Sequence, residues 1–201
     1  SGPRGTTRDT RNEIIVTQTD LLSAFGTGPL QHTMTVGFSL SSESYFLDNG
    51  NSLRNPGGTL PNPVLPVTLI AAPDSLWNGP VNFIRTSTTR GSMDDIAGYV
   101  FDDIRFAERW SFNGGARFDR VSSDFSQVNY ATPATGGAAT PLLPGSVQNS
   151  LLSWRAGLVF NPVPNSSIYL AYGNSETPSI ATVNGTCTNS GANNNCNLDP
   201  E

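Results

Sequence analysis

The chain has 201 residues with a formal net charge of -5; charged residues make up 13% of it and hydrophobic ones 36%. That is enough length for one ordinary domain, but roughly half the charged fraction usual for a soluble one. No stretch approaches the ~18 consecutive apolar residues of a membrane-spanning helix, and no basic stripe is present to meet nucleic acid. Aromatic residues reach 9% and fall in alternating runs, which argues against disorder. Residues 1–11 are polar and hold no apolar core of a secretory signal. For an exported protein, that places the true start upstream.

Reading for a period of two gives six candidate strands. The first covers about residues 12–25, with Ile15, Thr17, Thr19 and Leu21 on one face. A tight turn at Gly26-Thr27-Gly28-Pro29 leads into the second, about 30–46, where His32, Met34, Val36, Phe38 and Leu40 alternate with small or polar residues. A long connection rich in Asn, Pro and Gly follows, about 47–88. The third strand, about 91–106, sets Ala97, Tyr99 and Phe101 opposite Gly98, Val100 and Asp102, with a phase slip expected as a bulge near Asp102-Asp103. After Ala107-Glu108-Arg109 the fourth runs from 110 to about 125, with Trp110, Phe112, Gly114, Ala116 and Phe118 on one face. A second long connection spans about 126–148. The fifth strand, 149–160, carries Leu152, Trp154, Ala156, Leu158 and Phe160 on one face, and a turn at 161–165 enters the sixth, about 166–175. A third long loop, about 179–201, contains Cys187 and Cys196.

Connections thus alternate short and long, as in an up-and-down bacterial barrel with tight periplasmic turns and long extracellular loops. The strands also exceed the ~5–6 residues usual in soluble sheets, as tilted strands crossing a hydrocarbon core must. The expected fold is all-β: an antiparallel transmembrane β-barrel segment, strands one, three and five running inward. Lipid should meet the large apolar face, and Arg117, Asp119 and Arg155 should point into the lumen. Trp110, Phe112 and Phe160 flank short turns, where an aromatic girdle belongs.

Catalysis finds no support in the residues. His32, the sole histidine, has no partner at motif distance and is expected near the periplasmic interface. There is no GxSxG, P-loop or GxGxxG motif. We therefore expect no enzymatic activity and no metal site. Asp94-Asp95 and Asp102-Asp103 read as a strand entry and a lumen or turn feature rather than a calcium site. Cys187 and Cys196 close a loop of ten residues, and a disulfide there would stabilise by about 2–3 kcal/mol; a free pair is the alternative.

Three ordered blocks carry a family resemblance. TQTDLLSAFGTGPLQHTMTVGFSLSSES at 17–44, with Gln18, Asp20, His32, Gly37 and Glu43, resembles a mid-barrel hairpin of TonB-dependent outer-membrane receptors of the catecholate-siderophore type. IAGYVFDDIRFAERWSFNGGARFDR at 96–120 resembles their next strand pair through Tyr99, Asp102, Trp110, Gly115, Arg117 and Asp119. LLSWRAGLVFNPVPNSSIYLAYGNSETPS at 151–179 is similar through Arg155, Gly157, Pro162, Asn165, Tyr169 and Pro178. The resemblance implies a fragment of a barrel of about 22 strands, without its plug domain, in the bacterial outer membrane. It implies energy-coupled uptake of a ferric siderophore, with the TonB system and membrane lipid as partners and no resident cofactor. Ferric catecholates are anionic and aromatic, so guanidinium groups and aromatic faces suit them. Candidate contacts are Arg54, Trp77, Phe83, Arg85 and Arg90 in the first long loop and Tyr130 in the second; ordering the loops or pairing with nearby Asp is the competing role. A passive porin and a soluble β-rich binding protein are the alternative functions.

Overall fold

The computed structural model describes residues 6–59, 61, 64, 69–73, 76, 82–131, 139–141 and 144–178. They form one antiparallel sheet of strands β1 (Thr6–Thr27), β2 (Leu30–Asn51), β3 (Ile84–Ala107), β4 (Trp110–Asn129), β5 (Thr140–Pro141), β6 (Gly145–Phe160) and β7 (Ile168–Asn174). Their order is β1-β2-β3-β4-β6-β7, with the short β5 pairing the upper end of β4. Apart from the short β5, each strand therefore pairs with the next one along the chain, an up-and-down meander.

Local chemistry sets the short connections. β1 and β2 are joined through Gly28-Pro29, Thr27 facing Leu30, and Gly28 has φ 62. A glycine at that first central position relieves the Cβ clash of the left-handed region. β3 and β4 turn through Glu108-Arg109 with Ala107 opposite Trp110. Between β6 and β7, Asn165 takes φ 65, a conformation asparagine tolerates better than most side chains.

The strands are longer than the hydrophobic alternation marks. β2 and β3 continue to Asn51 and back to Ile84, because the ladder between polar residues such as Asn49 and Ser87 persists above the alternating stretch. The bulge expected near Asp102-Asp103 is not there: register runs unbroken from Ser87 to Arg105. The irregularities lie between Arg105 and Ala107 and between Asn49 and Gly50.

Cross-strand rows define two unlike faces. One holds Leu21-Val36-Val100-Ala116-Trp154, Thr19-Phe38-Gly98-Phe118-Leu152 and, beside the turns, Phe25-His32-Ile104-Phe112-Leu158. Its large side chains stay exposed, Phe118 at 51% and Leu152 at 50%; we call it the outer face. On the other, inner face, Phe125 and Leu151 are 4% exposed, and Ala97, Val121 and Val147 are buried with them. Outer apolar residues on β2 run from Leu30 to Leu40, about the 9–11 tilted residues that cross a hydrocarbon layer. Beside the turns, Trp110 stacks on Phe160 with ring centroids 4.4 Å apart.

The rule that large apolar side chains turn outward fails on β3. Tyr99 and Phe101 lie on the inner face, in rows with Arg117 and Gly115, while Asp102 turns outward beside Met34 and Gly114. Each acidic pair in fact straddles the sheet. Asp94 and Asp102 are outer, Asp95 and Asp103 inner, as a period of two requires. Outward placement of Asp102 is tolerated because His32 Nδ1 lies 2.7 Å from its Oδ2, under the ring of Phe25 stacked 4.9 Å away.

Candidate functional site

Polar side chains on the inner face of β1–β4 join into one belt. The rows Gln18-Ser39-Ala97-Asp119 and Asp20-Gly37-Tyr99-Arg117 lie side by side. Gly37 makes the belt continuous: a Cβ there would overlap the Tyr99 ring. With none, the ring lies across β2 and its hydroxyl donates to Asp20 on β1. Gln18 Nε2 donates to the Tyr99 hydroxyl at 2.7 Å and to Asp20 at 2.9 Å. Gly115 does the same for Phe101, whose ring carries the Arg155 guanidinium at 4.8 Å.

Arg117 is the hub. Its Nη2 lies 2.6 Å from Asp119 and 3.6 Å from Asp95, and donates to the Ser39 hydroxyl at 3.3 Å. Its guanidinium also sits 5.5 Å from the Tyr99 ring centroid. One guanidinium thus holds two carboxylates, a hydroxyl and a ring, and a network so interlocked presents fixed donors and acceptors. Beside it opens a cleft of about 330 Å³ whose rim includes Ser153, Glu176 and Pro178. The last two arrive there because side chains prolong the β6 ladder past the end of β7. Asn174 Oδ1 accepts from the Trp154 N–H and Glu176 Oε2 from the Leu152 N–H, each at 3.1 Å. Arg117, Asp119 and Arg155 are on the inner face as the alternation implies, whereas Asp95, Tyr99 and Asp20 enter only through the register.

The loop candidates are dispersed. Asp48, buried at the top of β2, binds Arg85 at 2.6 Å and accepts from the Thr88 hydroxyl. Arg85 remains half exposed and lies 5.9 Å from the Tyr130 ring, while Tyr130 N–H donates to Thr86 O at 2.9 Å. So Arg85 and Tyr130 do meet, with Arg85 held by an acid that no sequence motif marks. Arg90, in the outer phase, lies 5.2 Å over the ring of Phe46. Phe83 packs over Gly50, and Arg54 offers its carbonyl to Asn82 Nδ2 at 2.8 Å. Trp77, Cys187 and Cys196 lie outside the described residues, so the disulfide reading does too. Among the described residues no group of three or more His, Cys, Asp or Glu is placed to hold a metal ion.

Comparisons with known proteins agree on one family. Residues 1–201 match the family described as TonB dependent receptor-like, beta-barrel. The chain is 26% identical over 185 residues to the catecholate siderophore receptor Fiu of Escherichia coli K12, covering 86% of this chain and 23% of that protein. It is 29% identical over 177 residues to the probable TonB-dependent receptor BfrD of Bordetella pertussis, covering 84% and 23%. Among solved structures, the closed form of the Escherichia coli ferric-catecholate import receptor Fiu superposes with a TM-score of 0.76 at 22% identity, over 96% of this chain and 28% of that one. The siderophore receptor PiuA of Acinetobacter baumannii gives 0.67 at 22% identity, with the same coverage. This chain therefore spans about a quarter of the length of those relatives, 23% by sequence. With its meander, its exposed apolar face and its match along all 201 residues, the chain belongs to the family of TonB-dependent receptor β-barrels.

Proposed function

We propose that this chain forms part of the wall of a bacterial outer-membrane receptor that takes up a ferric siderophore, with energy supplied through TonB and a plug filling the lumen. One observation carries the receptor reading over a passive porin. Val121, Phe125, Val147 and Leu151 are apolar and buried on the inner face, where a water-filled channel is polar. An inner wall that is partly apolar and partly a fixed hydrogen-bonding belt suits a lumen occupied by protein, as in the largest barrels with plugged lumens. The outer apolar band supports contact with lipid, similarity to Fiu and PiuA supports a ferric siderophore as the cargo, and similarity to Fiu supports one of catecholate type.

In this reading the roots of the two long loops form the outer vestibule. Arg85 is the first contact to test, because it remains half exposed beside Asp48 and a guanidinium carries five N–H donors. Phe83, Arg54, Trp77 and Arg90 belong to the same long connection and the strand it enters, Arg90 lying over the ring of Phe46. Iron uptake tests the proposal: cells producing the receptor that carries this segment should import iron from a radiolabelled ferric catecholate, and should stop when TonB is deleted. Uptake that persists without TonB would establish the porin. Arg85→Gln should raise the concentration for half-maximal uptake several-fold; no change would remove Arg85 from the site.

A further inference from the structure

We propose that the periplasmic rim of this wall carries a binding site for a glycan strand of N-acetylated amino sugars, formed where two neighbouring short turns join into one cleft. This rests on the chain's forming a membrane-spanning wall whose short turns face the periplasm, and is independent of the cargo transported.

The turn between β3 and β4 and the connection between β6 and β7 lie side by side because Trp110 pairs with Phe160. Two hydrogen bonds tie them together: the Asn161 N–H donates to Arg109 O at 2.8 Å, and Arg109 Nη1 donates to Pro162 O at 3.0 Å. Ser167 Oγ donates to Asn161 Oδ1 at 2.7 Å. Pro162 and Pro164 each lock their own φ, and Asn165 turns the chain at φ 65. Between the two turns lies a cleft of about 380 Å³, within the ~300–1,000 Å³ of small-ligand sites. A cleft held in shape in this way loses little freedom when its ligand arrives.

Its lining selects a neutral, polar ligand. Glu108 and Arg109 contribute one charge of each sign, so an anion or a cation would meet a like charge beside its partner. Among the described residues, the side chains of Glu108, Asn165 and Ser166 have no hydrogen-bond or ion-pair partner. Arg109 keeps N–H donors beyond the one given to Pro162. The cleft thus offers a carboxylate that accepts, an amide and a hydroxyl that do both, and a guanidinium that donates. Sugar hydroxyls donate and accept at once, and an acetamido group adds a carbonyl and an N–H, so this mixture can pair all of them. Val163 and Pro164 supply apolar wall for the C–H face of the ring and for the acetyl methyl.

Exposure selects a strand over a free sugar. Glu108, Arg109 and every residue from Val163 to Ser167 are exposed, so the cleft is open along its length. An open cleft holds each sugar weakly and gains from repetition along a polymer. The location agrees with the chemistry. These turns adjoin Trp110 and Phe160, whose stacked rings end the apolar band, and they lie at the opposite end of the strands from the long connections. That is the periplasmic end of an up-and-down barrel, where the bacterial wall polymer, built on N-acetylated amino sugars, lies next to the membrane.

Co-sedimentation of the full receptor in detergent with protein-free cell-wall sacculi tests this, with the N-acetylglucosamine tetramer as soluble competitor. Glu108→Gln/Asn165→Gly removes a charge and an amide without demanding a new backbone shape, because glycine takes φ 65 freely. Variants are compared only if they keep the heat-stable gel mobility of a folded barrel; if the double variant fails that criterion, the single Asn165→Gly takes its place. The wild type should sediment with sacculi before and after an amidase strips their peptides, and the tetramer should release it. The double variant should need about tenfold more sacculi for the same retention, the loss of a hydrogen bond to a charged group. Equal retention by wild type and variant would overturn the site. Binding that disappears with the peptides, or that the tetramer leaves untouched, would overturn the glycan as its occupant. Labelling of Val163→Cys in intact cells by a membrane-impermeant maleimide, beyond the level of the parent receptor, would instead overturn the orientation on which the proposal rests.

Discussion

Replacing Arg117 by alanine tests whether the inner belt is a network or a set of neighbours. The guanidinium is 34% exposed, while Asp119 and Asp95 are 14% and 23% exposed. Removing one member of a fully buried ion pair costs about 3–5 kcal/mol, because the other charge stays buried without its partner. Exposure of this order lets water replace part of the lost interaction, which brings the figure to about 2 kcal/mol. Losing the Tyr99 ring contact adds about 0.5–1 kcal/mol. Arg117→Ala should therefore destabilise the receptor by about 2–3 kcal/mol, most of it from two carboxylates left facing each other. The same change made on an Asp95→Asn/Asp119→Asn background should cost under about 1 kcal/mol. Reversible urea unfolding in lipid vesicles, followed by tryptophan fluorescence, reads both numbers. Equal losses on the two backgrounds would mean that the three side chains are not coupled, and the belt would lose its hub.

Three further outcomes follow from the same geometry. Tyr99→Phe, which removes the hydroxyl shared by Asp20 and Gln18, should cost about 1–2 kcal/mol; Gly37→Ala should cost more, since its Cβ displaces the whole ring. Phe118→Arg on the outer band should destabilise by about 2–4 kcal/mol in vesicles while Ser122→Arg, two rows higher, stays within about 1 kcal/mol; similar costs would refute the face assignment. His32→Ala should cost about 1–3 kcal/mol by stranding the outward Asp102, and a double-mutant cycle with Asp102→Ala should recover most of it.

How much of this was legible in the sequence depends on which interactions set each feature. Strand order, the short turns and the outward band follow from the alternation of His32 to Leu40 and Trp110 to Phe118, because hydrophobic burial reads directly as a period of two. The belt was half legible. Arg117, Asp119 and Arg155 stand out as charges within an apolar alternation, but their partners depend on register. Asp20 meets Tyr99 across β2 only because Gly37 leaves room for the ring, a relation among three strands that no single-strand pattern contains.

The failure on β3 has a physical reason that bears on the loop candidates as well. Size and apolarity were read as facing lipid, yet Tyr99 and Phe101 turn inward because each serves as a platform, one for Arg117 and one for Arg155. A ring that supports a cation gains from both its area and its face, so it follows the charge rather than the lipid. Arg90 shows the converse: its ring, Phe46, is on the outer face, and the guanidinium goes with it. Arg85 and Arg90, near in sequence, are held by different partners in the fold. Arg85 is held by the buried Asp48 at the loop roots, and Arg90 by an aromatic above the apolar band. Residue type marks both as candidates to meet an anion, while the partner that holds each follows from the register.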